Sequence, residues 1–183
     1  MTADLLSALL RTARKGDEEA FRRLVEATRD RLFWTVRRMV GRDALSEEIL
    51  QDAYVALWGL PDASLPRDVH AWLRRFCVNR SIDHLRREET KRVVDTPDPL
   101  EFVASSHDPE QSVRGIEVEE ALGRALATLP AQEKAAFVLK VVEGLDYDEV
   151  SSMLGVAEST VRNQVMQARR KLEKALKSAG VEL

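Results

Sequence analysis

Apolar residues recur three and four positions apart along nearly all of this chain, and that rhythm commits it to helices. The rhythm fails in one place. The stretch VVDTPDPLEFVASSHDPEQS at 93–112 holds three prolines and a cluster of Asp, Ser and His, with no sustained period. Proline lacks the backbone donor that a helix interior requires. The chain therefore divides into two helical halves around a linker over 93–117. Its 183 residues suit one ordinary domain or two small ones. The expected fold is all-α: two small helical domains, over 1–92 and 118–183, joined by a flexible acidic linker. Two small domains each have a modest core, so partner surfaces add to their stability.

Charge follows the same division. Residues 1–92 carry 18 basic and 15 acidic side chains, 93–120 carry 1 and 8, and 121–183 carry 9 and 8. The acidic excess is confined to the middle, so neither half is barred from nucleic acid. One cysteine, Cys77, excludes an intramolecular disulfide and agrees with a reducing compartment. No apolar run approaches the ~20 residues of a membrane helix. The opening MTADLLSALLRTARKGDEEAF mixes charge with apolar residues and reads as an amphipathic helix, not a leader. A cytoplasmic protein with no membrane insertion is expected.

The first half offers four helices. One spans roughly 3–14. A second follows an Asp17 cap, buries Phe21, Leu24, Val25, Leu32 and Val36, and ends at Gly41. A third is expected after SEE at 46–48, with Ile49, Ala53 and Leu57 inward and Trp58 in the core. Pro61 and Pro66 bracket a loop, and a fourth helix runs from about Arg67 to Glu89. The second half offers four more, near 113–127, 130–142, 146–153 and 158–178.

The last two of these have a distinctive shape. Val150 and Leu154 lie four apart on a short helix, and Gly155 supplies a residue free to take positive φ. Val161, Val165, Ala168, Leu172 and Leu176 then form one stripe. Thr160, Arg162, Asn163, Met166, Gln167, Arg169 and Arg170 occupy the opposite surface. A short helix, a glycine turn and a longer helix with a polar face make a helix-turn-helix that could enter a DNA groove. Arg and Asn can make paired contacts to guanine and adenine edges. The same pattern also describes a helical hairpin with a solvated charged face.

LPAQEKAAFVLKVVEGLDYDEVSSMLGVAESTVRNQVMQARRKL resembles the promoter-reading C-terminal domain of bacterial RNA polymerase sigma factors. The marks are Leu129-Pro130, Glu143-Gly144-Leu145, Tyr147, Glu149-Val150, Leu154-Gly155-Val156, Thr160-Val161 and Ala168-Arg169. The other half is similar to the second sigma domain: DEEAFRRLVEATRDRLFWTVRRMVG to its first helices, LSEEILQDAYVALW to its polymerase-docking helix, and DVHAWLRRFCVNRSIDHLRR to its melting segment. Two domains around a short linker resemble the extracytoplasmic-function (ECF) group. The resemblance covers roughly 15–90 and 117–176.

That resemblance implies roles for particular residues. Glu48, Gln51, Asp52 and Tyr54 would meet the clamp of the largest polymerase subunit, and the C-terminal domain the flap of the second largest. Trp72, Arg75, Asn79, Asp83 and Arg86 would read and melt the −10 element, with the loop 61–69 holding a flipped base. Trp72 stands at the first of two melting tryptophans of principal sigma factors, and Leu73 at the second. The polar face from Thr160 to Arg170 would read the −35 element. Many members have Ser-Arg at 163–164 and Arg at 167; here stand Asn163-Gln164 and Gln167, so phosphate-binding charge is lost. Ala157 replaces the usual serine cap, a loss of about 1 kcal/mol. An anti-sigma factor is an expected partner.

Arg75, Asn79, Asp83 and Arg86 also stand by themselves as a pattern. At 100° per residue they share a sector of roughly 80° with Trp72. An aromatic ring beside Arg and Asn suits an unstacked base, although a tryptophan on an amphipathic helix also suits a core. Cys77, His70, His84 and His107 have no ligand spacing, and no nucleophile motif or phosphate loop is present. No enzyme, cofactor or metal is expected. The competing readings are a stand-alone helix-turn-helix regulator and an adaptor that sequesters polymerase or a regulator.

Overall fold

The computed structural model describes residues 3–94 and 121–178, with the backbone alone described for 91–94. Four helices build the first half: α1 (Ala3–Ala13), α2 (Glu18–Val40), α3 (Asp43–Trp58) and α4 (Val69–Val94). In the second half, α5 occupies 121–127, α6 runs Ala131–Phe137 into a π turn over Val138–Val142, and α7 (Tyr147–Leu154) and α8 (Glu158–Ser178) follow. Every described element is helical.

Local chemistry sets the ends. The Asp17 carboxylate accepts the Ala20 amide at 3.0 Å, holding the start of α2. Gly41 ends that helix at φ 77°, its amide bonded to the Arg37 carbonyl. α3 starts at Asp43, three residues before the expected SEE start. Ser46 is inside the helix, buried, and donates back to the Arg42 carbonyl at 2.7 Å instead of capping. α4 continues to Val94, so the first two residues of the expected linker are helical. The rest of 93–117, the 118 boundary, His107 and the start expected for α5 lie outside the described residues.

The first half packs α2 against α1, α3 and α4. Leu24, Val36, Leu57, Leu73 and Val78 are fully buried there, each removing apolar area worth about 1.5–3 kcal/mol. Trp58 departs from expectation. It ends α3 and is 47% exposed, edge-on to Phe21 at 5.3 Å and beneath the Arg14 guanidinium. Arg14 also donates to the Trp58 carbonyl at 2.8 Å. The ring closes the rim of the core instead of filling it.

The two bundles do not stand apart. Ala135, Ala136, Val138 and Leu139 of the second half join one apolar cluster with the first half's core. Polar contacts fix the seam. Glu143 has a side chain only 6% exposed; its Oε1 accepts from the Thr35 hydroxyl at 2.7 Å and its Oε2 lies 3.3 Å from Arg31 Nε. Buried Lys134 donates to the Met39 carbonyl at 3.2 Å. α6 has Pro130 at its N-cap position and no side-chain cap of its own, and Glu89 supplies one by accepting the Ala131 amide at 2.7 Å. A second cluster, with Leu126, Leu129, Leu172 and Leu176, packs α5 onto the far end of α8.

Candidate nucleic-acid interface

The helix-turn-helix forms as its spacing predicts. Glu149 reaches back to the Asp146 amide at 2.8 Å at the start of α7. Gly155 turns the chain at φ 67°, its amide bonded to the Ser151 carbonyl, and the Ser151 hydroxyl donates to the Val156 carbonyl at 2.8 Å. Val161, Val165, Ala168, Leu172 and Leu176 are all buried. The outward face is therefore fixed by the stripe beneath it. Thr160, Arg162, Asn163, Met166, Arg169 and Arg170 are exposed, and Gln167 is half buried at the edge. Met166 is 46% exposed, a large apolar side chain with open surface around it. Gln164 is half buried with its Oε1 enclosed and unpartnered.

Arg162 is restrained. Its Cζ lies 4.0 Å from the centroid of the Tyr147 ring, and its Nη2 lies 3.3 Å from Glu158 Oε2, one turn earlier. Lys140 Nζ lies 4.7 Å from the same ring and donates to the Leu145 carbonyl at 2.8 Å.

In the first half, α4 presents a narrow strip. Leu73, Cys77, Val78, Ser81 and Ile82 are buried, while Arg75, Asn79, Asp83 and Arg86 are exposed. Trp72 borders the strip, half buried and stacked on Phe76 with centroids 5.5 Å apart and planes at 24°. The ring is packed against the core on one side and remains only half buried, so a core role accounts for part of its surface and leaves the rest exposed. Leu73, at the place of the second melting tryptophan, is fully buried. Burial also pushes the Cys77 thiol up to about 12, so it stays an unreactive core group.

The four polymerase candidates on α3 separate. Glu48 and Gln51 are exposed. Asp52 pairs with Arg80 of α4 at 2.7 Å, tying the two helices together. A partly exposed pair of this kind contributes about 0–1 kcal/mol. Tyr54 turns inward: its hydroxyl lies 2.8 Å from the Thr28 hydroxyl, and burial pushes its pKa up to about 12. Sequence spacing does not single out Arg80. Its place beside Asn79 gives no sign of the Asp52 partner 28 positions away.

Comparison with known proteins matches the chain to two sequence families, sigma-70 region 2 over residues 24–91 and sigma-70 region 4 over 119–172. The ECF RNA polymerase sigma factor SigM of Mycobacterium tuberculosis (strain H37Rv) is 31% identical over 175 residues, spanning 95% of this chain and 84% of the relative. The chain belongs to the ECF group of sigma-70 factors. SigW of Bacillus subtilis, another ECF sigma factor, is 24% identical over 94% of this chain and 97% of its own length. The solved structure of the sigma factor RpoE in complex with the anti-sigma factor NepR, from Bartonella quintana, shares the fold. It has a TM-score of 0.65 at 20% identity, over 86% of this chain and 96% of that one.

This sigma factor is a transcription-initiation protein that binds RNA polymerase and promoter DNA. The stand-alone regulator loses its ground, because a helix-turn-helix alone leaves the region 2 match over 24–91 without a purpose. Among the described residues, no helix is long and apolar enough to cross a membrane.

Proposed function

We propose that the two halves divide the promoter between them. The half before the linker docks on the polymerase clamp through the Glu48–Gln51 edge of α3. It captures an unpaired −10 base between Trp72 and the Arg75–Asn79–Asp83–Arg86 strip. The half after the linker meets the polymerase flap and reads the −35 element through α8. One observation carries this reading: the exposed Arg75, Asn79, Asp83 and Arg86 of α4 and the exposed face of α8 from Thr160 to Arg170 each lie inside a match to the corresponding sigma region.

Reading both elements together requires the seam to part. Elements about 25 base pairs apart are separated by ~85 Å of duplex. Two touching domains of this size have centres only about 25 Å apart. A 25-residue linker can extend to ~80 Å, enough for the open form. The closed form, held by Glu143, Lys134 and Glu89, suits a resting state that an anti-sigma factor would reinforce.

Run-off transcription with core polymerase on a promoter library tests this function. Specific starts are expected from core plus this protein, and little promoter-specific binding by the protein alone. No complex with core and no new starts would end the proposal.

A further inference from the structure

Tyr147 is half buried at the start of α7, and two cations approach its ring. They are not equivalent. Lys140 is engaged by the Leu145 carbonyl and lies 3.6 Å from Asp146, so the turn already holds it. Arg162 is exposed and stands on the face of α8 that carries Asn163 and Met166. Its guanidinium touches the ring at 4.0 Å and reaches Glu158 at 3.3 Å, the long end of a hydrogen bond.

We propose that Tyr147 is a positioning residue for base reading, holding the Arg162 guanidinium by its face so that its N–H edge stays available to a base. This rests on the reading that α8 enters the major groove with Arg162 toward the bases. A guanidinium stacks through its faces and donates in its plane. The N7 and O6 acceptors of guanine take a forked donor in that plane. Ring contact therefore consumes none of the donors that reading needs, whereas the Glu158 contact uses one. An unrestrained arginine also loses its rotamer freedom on docking, and a stacked one has given up part of it beforehand.

The test uses holoenzyme assembled from core polymerase and the full chain, on promoters randomised across the upstream element. Base preference at each position is read from transcript counts. That preference is a ratio, so a smaller folded fraction lowers all promoters alike and cancels. Arg162→Ala is expected to erase preference at one position. Tyr147→Leu should weaken preference at that position about two- to fivefold, and Tyr147→Phe, which keeps the ring, should restore it. In an Arg162→Ala background, Tyr147→Leu should add nothing. Tyr147→Met provides a second ringless variant should the leucine fail to fold. If Arg162→Ala relaxes one position while the ringless variants do not, the positioning role is wrong and the placement of α8 stands. If Arg162→Ala relaxes no position, the placement of α8 fails and the positioning role with it.

Discussion

The two helices proposed to face DNA, α8 and α4, are built on different plans. α8 is covered along one stripe and leaves a wide face of seven polar or apolar side chains, among them Arg162, Arg169 and Arg170. α4 is covered by α1, α2, α3 and α6 together; among its exposed residues, the four aligned with Trp72 include Asp83, which offsets one of two arginines, while Arg80 and Arg87 stand to one side. A face on which Arg162, Arg169 and Arg170 outnumber the exposed carboxylates Glu158 and Glu173 of the same helix suits a continuous duplex, whose phosphates dominate affinity. A strip with little net charge beside a half-buried Trp72 suits an unstacked base, which any aromatic face can take. On the proposed division, packing assigns the labour before any DNA is present, and the more enclosed helix is the one proposed to take the single base.

The largest expected effect tests that division at Trp72. Base stacking on an aromatic is worth about 1–3 kcal/mol. Trp72→Ala should lower promoter opening by about 5- to 150-fold, measured as permanganate reactivity of −10 thymines in holoenzyme complexes. Preferences across the upstream element should not change. Equal loss at both elements would mean that Trp72 serves only the core with Phe76 and that the two helices are not specialised. Next comes the seam. Glu143→Ala removes the acceptor from the Thr35 hydroxyl and the partner from Arg31. A lost buried acceptor of this kind costs about 1–3 kcal/mol. Hydrogen exchange should quicken in α6 and the C-terminal part of α2 and remain slow in α3. Uniform quickening would show that the two bundles unfold as one body.

A smaller effect separates charge from base choice. Arg169→Ala with Arg170→Ala should lower the slope of log affinity against log salt for holoenzyme by about 1.8, at roughly 0.9 per phosphate contact. Asn79→Ala should leave that slope intact and relax preference in the −10 element. An unchanged slope in the double variant would mean that α8 holds its DNA without phosphate contacts.

How much of this was legible in the sequence depended on distance along the chain. The α8 stripe, the Asp17 cap and the turns at Gly41 and Gly155 are local, set by neighbours within four or five positions, and each was readable. α3 misled because its first turn carries no side-chain cap, Arg42 standing extended at the N-cap position. Ser46 mimicked a start. Trp58 misled because helix periodicity gives the direction of a ring but not whether anything covers it. The seam was unreadable as a whole, since Thr35 and Glu143 lie 108 positions apart. It left one trace. Lys134 falls among Ala131, Ala135 and Val138 on the inward side of α6, and a lysine there requires a buried acceptor. Of the candidate surfaces, the exposure of the two strips proposed to face DNA followed from helix geometry. The α3 edge did not, because Asp52 and Tyr54 are engaged by Arg80 and Thr28, partners remote in sequence.

The smallest effect concerns pH at the point where α4 meets the seam. His70 lies in the first turn of α4, and its pKa is lowered, first by burial and then by the charges of Arg74 and Arg31. Asp68 and Glu143 oppose the shift without cancelling it. The unfolded chain takes up this proton as pH falls through about 6.5, while the folded chain still excludes it. Below that pH the unfolded state binds more protons, so stability is fully present above ~6.5 and declines as pH drops toward the folded value. The thermal midpoint should fall between pH 7.5 and 5.5, and His70→Gln should flatten the curve over that window. Part of the slope will survive in the variant, because other ionisable groups of the chain contribute to it. An identical slope in the two proteins would show that α4 starts in a setting no different from water, leaving the enclosure of its first turn, and with it the contrast to the open face of α8, without support.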